Sequence, residues 1–310
     1  MKIAFVFPGQ GSQTVGMLDA WVDDSTVQAT LAEGDQALGQ PLSALIAQGP
    51  AEELNLTTQT QPAMLLAAVA LYRAWIAQGG RAPDLVAGHS LGEYSALTAA
   101  GSIQLADALR TVRIRAQAMQ AAVPVGTGGM AAILGLDDEA VRAACAQAAQ
   151  DQVVEAVNYN APAQVVIAGH LQAVERACEL AKAAGAKRAL LLPVSAPFHS
   201  SLLRPASLVL HDALADIPVR APAIPLINNV DVALSADPAA IRDALVRQAW
   251  HPVRWVETIQ SMAAQGVTHV VECGPGKVLS GLVKRIDRNL QALNITDPAS
   301  LRQTLDTLGA

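Results

Sequence analysis

Apolar residues fall along this chain in short blocks separated by glycine, proline and small polar residues. The blocks alternate between an unbroken run and a helical spacing. Ile3-Ala4-Phe5-Val6-Phe7 is an uninterrupted apolar run closed by Pro8, which predicts a strand buried on both faces. Residues 23–39 carry small apolar residues at helical spacing. Gly49-Pro50 marks a turn before a short helix. Pro62 suits the first turn of a helix running to about Gln78. That helix is apolar nearly all round (Met64, Leu65, Leu66, Val69, Leu71), so it should be buried. Leu85-Val86-Ala87 predicts a second buried strand, and Leu91 to Ala100 an Ala-rich helix stopped by Gly101. From Ala106 to Ala122, Leu109, Val112, Ala116 and Met119 form one helical stripe.

After Pro124-Val125-Gly126-Thr127-Gly128-Gly129 the pattern changes. Strands are predicted at 130–134, 153–158, 164–168 and 187–192, with helices at 137–149 and 171–184. The order β-α-β-β-α-β is the ferredoxin-like arrangement, so residues 124–196 read as a subdomain inserted in a larger domain made of 1–123 and 197–310. The larger part continues with a helix over 202–214, a short strand over 224–228, a helix over 239–250 and a strand over 267–272. A basic helix follows Gly274-Pro275-Gly276, and a last helix opens at Asp297-Pro298. Strands alternating with helices predict an α/β fold with a mainly parallel sheet.

Composition narrows the function. Of 310 residues, 52% are hydrophobic and 15% charged, so a well-buried globular protein is expected. Aromatics are 3% and the formal net charge is -6, which argues against a nucleic-acid partner. Cys145, Cys178 and Cys273 are far apart, with no metal-ligand spacing. The first apolar run is too short and lacks a cleavage site for a signal peptide, and no run is long enough to span a bilayer. A cytoplasmic protein without metal is the expectation.

The chemistry concentrates in Gly88-His89-Ser90-Leu91-Gly92, a G-x-S-x-G elbow between the second strand and its helix. The turn holds a serine at a helix N-terminus, and the flanking glycines relieve the crowding. With it the large domain reads as α/β-hydrolase-like. A serine needs a base within reach. Of the six histidines, His199 and His251 remain as candidates, and His199 has the better loop context, after Pro193 and Pro197. Arg113 and Arg115 border the helical stripe on opposite sides. Either can reach a cleft, and periodicity does not choose between them. The elbow alone is shared with esterases and lipases.

Phe7-Pro8-Gly9-Gln10-Gly11-Ser12-Gln13, Gly88-His89-Ser90-Leu91-Gly92-Glu93-Tyr94, Phe198-His199 and Gly274-Pro275-Gly276-Lys277 occur in one order over essentially the whole chain. In this the sequence resembles the malonyl-CoA:acyl carrier protein transacylases, which are related to the acyltransferase domains of polyketide and fatty acid synthases. The free-standing enzyme of bacterial type II fatty acid synthesis is the nearest pattern. The resemblance implies that Ser90 carries the malonyl group as an ester and that His199 is its base. It gives the Gln248 carbonyl the task of orienting the imidazole. The Gln10 and Leu91 amides become an oxyanion hole, and Arg115 the partner of the malonyl carboxylate. Phe198 disfavours an α-methyl branch, and Gln61 lines the pocket. Malonyl-CoA and CoA are then substrate and product, and no cofactor is implied. The protein partner is acyl carrier protein, and the chain is expected to be a monomer. Lys187, Arg188, Lys284 and Arg285 are candidates for meeting CoA phosphates or an acidic carrier.

Overall fold

A computed structural model describes residues 1–194 and 196–309. Ser195, in the stiff loop before His199, and Ala310, the last residue of the predicted large domain, lie outside the described residues.

The larger part contains strands β1 (Ile3–Phe7) and β2 (Leu85–Gly88) and, between them, helices α1 (Ser25–Leu38), α2 (Leu42–Gln48), α3 (Ala51–Leu54) and α4 (Thr57–Ala77). Helices α5 (Gly92–Ala99) and α6 (Leu105–Ala121) follow β2. The chain then enters β3 (Gly128–Leu134), α7 (Asp138–Ala149), β4 (Val154–Ala161), β5 (Gln164–His170), α8 (Leu171–Ala183) and β6 (Arg188–Leu191). It returns through α9 (Arg204–Ala215), α10 (Pro238–Gln248), α11 (Trp255–Ala264), β7 (His269–Cys273), α12 (Val278–Ile286), β8 (Gln291–Ile295) and α13 (Pro298–Leu308).

Two sheets result. The first is parallel throughout, in the order β2-β1-β7-β8. The second is antiparallel, in the order β4-β5-β3-β6, which is the ferredoxin-like order that the β-α-β-β-α-β pattern predicts. The unbroken apolar run of β1 has the expected cause. Ile3, Phe5 and Phe7 enter the core under α1, α4, α5 and α6, while Ala4 and Val6 face the core built from α11 and α12. The Phe5 ring lies tilted against that of Trp75, 5.4 Å between centres, and the Phe7 ring meets that of Tyr72 edge-on at 6.1 Å. These contacts pack α4 against β1.

Several boundaries differ from the sequence reading. Helix α4 begins at Thr57, so Pro62 lies inside it instead of in its first turn. Proline there removes one backbone donor near the N-terminus, and burial of nearly every other residue of α4 outweighs that loss. Residues 224–228 form isolated bridges, Val86 with Leu226 and Ile227 with Leu234, and no strand. Prolines 222 and 225 both precede the bridging pair, and neither has an amide to donate to a ladder. Helices α2 and α11 and strand β8 were not foreseen. β8 is an edge strand, Gln291–Ile295, whose polar residues are Gln291 and Asn294. The Gly274-Pro275-Gly276 turn packs on the first loop: a Cβ on Gly274 would stand 2.6 Å from the Pro8 ring. Glu272, buried on β7, accepts from the Leu279 and Ser280 amides at 3.0 and 2.7 Å and so caps α12.

Candidate active site

β1 and β2 run side by side with Phe7 opposite Gly88, and both stop at the same edge of the sheet. Ligands in open α/β sheets bind at that carboxyl edge. The loop after β1 and the elbow after β2 therefore face each other. Their contact is close enough to dictate glycine. A Cβ on Gly92 would lie 2.0 Å from the Phe7 carbonyl oxygen, one on Gly88 would lie 1.8 Å from the Gly92 carbonyl carbon, and one on Gly9 would lie 2.7 Å from the His89 oxygen. Ser90 is held at φ 54°, in the left-handed region that side chains avoid. Such a conformation costs on the order of 1–3 kcal/mol and persists only where the surroundings impose it.

Asn229 imposes it. Its Oδ1 accepts from the Ser90 amide at 2.8 Å, its Nδ2 donates to the Gly88 carbonyl at 2.7 Å, and its own amide donates to Glu93 at 3.0 Å. One buried side chain thus clamps both sides of the turn. The Ser90 amide is used in this clamp. Among the described residues the amides of Gln10 and Leu91 donate to no protein acceptor.

His199 also has a positive φ, 65°. It is 4% exposed. Its Nε2 lies 2.7 Å from Ser90 Oγ, and its Nδ1 lies 2.8 Å from the Gln248 carbonyl oxygen. That carbonyl can only accept, so Nδ1 carries the proton and the Nε2 lone pair faces the serine. Burial, with the nearby Arg115 cation, pushes the His199 imidazole down to about 3. It is therefore neutral and able to accept a proton at pH 7. His251, the alternative base, stands outside this pair with its ring 3.9 Å from that of Trp250.

The arginine alternatives separate cleanly. Arg113 does not line the serine cavity. Arg115 is 1% exposed. Its Nη1 donates to Gln61 Oε1 at 2.8 Å, and its Nη2 donates to Gln248 Oε1 at 2.9 Å and to Ser90 Oγ at 3.1 Å. Its guanidinium carbon lies 5.6 Å from the centre of the Tyr94 ring, and its Nε has no partner. Burial lowers its proton affinity, and Tyr94 and Glu93 oppose that.

These groups border a cavity of about 220 Å³. Gln10, Gln61, His89, Ser90, Leu91, Arg115, Phe198 and His199 line it from the larger part; Met130, Asn158, Asn160, Val166, Leu192 and Val194 come from the antiparallel part. Of the predicted site residues only Gln248 is outside the lining; it sits behind Ser90, with its carbonyl on His199 and its side chain on Arg115 and Glu93. His89 turns aside to Asn160, 2.8 Å away. Lys187, Arg188, Lys284 and Arg285 do not line the cavity, and Arg285 is bonded to Gln164. A larger hollow of about 1070 Å³ lies between α7, α8 and β6 and contains none of these groups.

Sequence reasoning missed two buried polar residues here, Asn229 and Glu93. The signal for Glu93 was a carboxyl inside an otherwise apolar helix; for Asn229 it was a pair of asparagines closing an apolar run. Burial pushes Glu93 up to about 7, against its hydrogen bonds from Gln248 and Asn229. Among the described residues no group of three or more His, Cys, Asp or Glu side chains is arranged to hold a metal ion. No helix there is long and apolar enough to cross a membrane.

Known proteins are similar to this chain over nearly its whole length. The acyl transferase domain family matches residues 4–299. The malonyl CoA-acyl carrier protein transacylase of Escherichia coli K12 is 58% identical over 306 residues, 98% of this chain and 99% of the relative. The crystal structure of an acyl-carrier-protein S-malonyltransferase from Burkholderia pseudomallei 1710b is similar with a TM-score of 0.98 and 66% identity, over 99% of this chain and 100% of that one. A type II PKS acyl-carrier protein in complex with its malonyl-transacylase gives a TM-score of 0.98 at 52% identity, over 99% of this chain and 100% of the other.

Proposed function

The chain belongs to the acyl transferase domain family, and from that premise we propose that it moves a malonyl group from malonyl-CoA to the phosphopantetheine thiol of an acyl carrier protein through an ester on Ser90. The observation that carries this reading is the meeting of three side chains in one buried cavity: Ser90 Oγ is 2.7 Å from His199 Nε2 and 3.1 Å from Arg115 Nη2. The relatives named for malonyl transfer support the acyl group, and the neighbour solved with its acyl-carrier protein supports the acceptor.

In the proposed cycle Arg115 takes the malonyl carboxylate in its planar fork, with Gln61 steadying Nη1. Ser90 Oγ attacks the thioester carbonyl as its proton passes to His199 Nε2. The developing oxyanion accepts from the Gln10 and Leu91 amides, whose freedom from other acceptors suits them to it. The C–S bond breaks, and the CoA thiolate takes the proton from His199. The carrier thiol then enters, gives its proton to His199 and attacks the ester, and Ser90 leaves with that proton. The Gln248 carbonyl keeps the imidazole in the tautomer both halves require. The cycle moves an acyl group and protons and calls on no redox partner.

The same geometry favours a dicarboxylic acyl group. In the empty site the Arg115 charge opposes a proton on His199. A carboxylate on the guanidinium lifts that opposition, so the base strengthens when the acyl group it serves is bound. Phe198 packs against apolar residues of both parts at the cavity wall, which fits the exclusion of an α-methyl branch. We take 124–196 as an inserted subdomain that closes the pocket over the elbow, and fatty acid synthesis as the setting.

Transfer of radiolabelled malonyl from malonyl-CoA to holo-acyl carrier protein tests the reading. Label should appear on the carrier with the parent protein and not with Ser90→Ala or His199→Ala. Release of free malonate without labelled carrier would make the protein a hydrolase instead.

A further inference from the structure

Glu93 has no part in the acyl transfer just described, yet it lies directly behind the nucleophile. It is 1% exposed, in the first turn of α5. Its Oε2 accepts from the Asn229 amide and from Gln248 Nε2, both at 3.0 Å. The oxygen of that same Gln248 amide accepts from Arg115 Nη2 at 2.9 Å. A single side chain therefore links the buried carboxyl to the buried guanidinium. Asp231 is the other acid near Glu93, and it is already paired with Arg247 at 2.7 Å on the outer side. Tyr94, raised to about 12, and His199, lowered to about 3, carry no charge near neutral pH.

A malonyl carboxylate on Arg115 would bring a second anion to one cation in a dry site, and that arrangement is unfavourable. We propose that Glu93 is the resting counter-ion of Arg115, a positioning residue that takes up a proton when the substrate carboxylate pairs with the guanidinium. The inference rests on the reading above, that malonyl meets Arg115. The proton comes from solvent and no other bond changes. It sits on Oε1, because both donors are directed at Oε2. Burial already holds the carboxyl near the point of protonation at neutral pH, so the exchange is within reach. A neutral acyl group such as acetyl leaves Glu93 ionised above pH 7. The device therefore separates dicarboxylic from simple acyl thioesters without touching the substrate.

The sign follows from linkage. Binding that takes up a proton weakens as pH rises above the group's free value, by up to about tenfold per pH unit. The test is calorimetric binding to Ser90→Ala, which stops the chemistry, between pH 6.5 and 8.5. Two buffers of different ionisation enthalpy count the protons. Malonyl-CoA should take up well over half a proton at pH 7.5 and bind less tightly as pH rises. Acetyl-CoA has the same CoA phosphates and should show neither effect. In Ser90→Ala with Glu93→Gln, whose amide oxygen can accept both existing donors, the malonyl-CoA affinity should become independent of pH. Equal proton uptake with both thioesters, none with either, or uptake unchanged by Glu93→Gln overturns the proposal. Malonyl-CoA affinity that Arg115→Ala leaves intact would instead overturn the underlying assignment of Arg115.

Discussion

Replacing Arg115 with alanine is the sharpest perturbation of the site. The guanidinium is 1% exposed and donates to Gln61, Gln248 and Ser90 at 2.8, 2.9 and 3.1 Å. Its removal leaves the malonyl carboxylate without a partner in a desolvated cavity. Truncating one member of such a pair costs about 2–5 kcal/mol. At about 1.4 kcal/mol per tenfold, this is a loss of roughly 30- to 5000-fold in kcat/KM for malonyl-CoA. An acetyl group has no carboxylate to strand, so the malonyl-to-acetyl ratio should fall by about the same factor. The variant also removes the cation that helps depress His199. The acid limb of acetyl loading should then move to higher pH, toward the ordinary imidazole range. Rapid-quench loading of Ser90 with each thioester, from pH 5 to 8, reads both effects. An unchanged malonyl-to-acetyl ratio, or the same switch produced by Arg113→Ala, would refute the reasoning.

The other predictions concern the scaffold and the base. Asn229→Ala removes the two side-chain hydrogen bonds that clamp the elbow, to the Ser90 amide and the Gly88 carbonyl, and keeps the backbone bond to Glu93. Each orphaned buried group costs about 1–3 kcal/mol, so urea unfolding should show a clear loss of stability and kcat should fall with it. Gln248→Ala keeps the carbonyl that orients His199 but unhooks Arg115 and Glu93; malonyl loading should fall well beyond acetyl loading, as paired assays will show. His199 stays neutral in the folded chain, while the unfolded chain binds a proton there below about 6.5. Its contribution to stability is therefore present above that pH and is lost as pH falls toward the folded value, by up to about 1.4 kcal/mol per unit. Acid titrations of His199→Gln should show a shallower decline between pH 6.5 and 4 than the parent protein.

Much of this was legible in the residues, and the exceptions have physical causes. The elbow could be read because sterics force both glycines: Gly92 meets the Phe7 oxygen and Gly88 meets the backbone of Gly92. The ferredoxin-like order could be read because α7 and α8 each bury one stripe of small apolar residues and lie between short apolar strands. Residues 224–228 carry the apolar signature of a strand, but the neighbouring prolines leave only single bridges, and apolarity alone does not report that. Arg113 and Arg115 flank the same stripe, and only the packing of α6 against α4 and α9 decides which points inward. Glu93 and Asn229 escaped for a different reason. Their partners lie 155 and 139 residues away, at Gln248 and Ser90, so their importance is created by the fold and leaves little local trace.

The central claim is that Ser90 receives the malonyl group directly and keeps it until a thiol arrives. Intact-mass spectrometry of the protein mixed with malonyl-CoA, with no acceptor present, tests this most directly. A single malonyl increment that peptide mapping assigns to Ser90, absent in Ser90→Ala and discharged by a pantetheine thiol, is the predicted result. An unmodified protein, or an adduct on any other residue, would contradict the account.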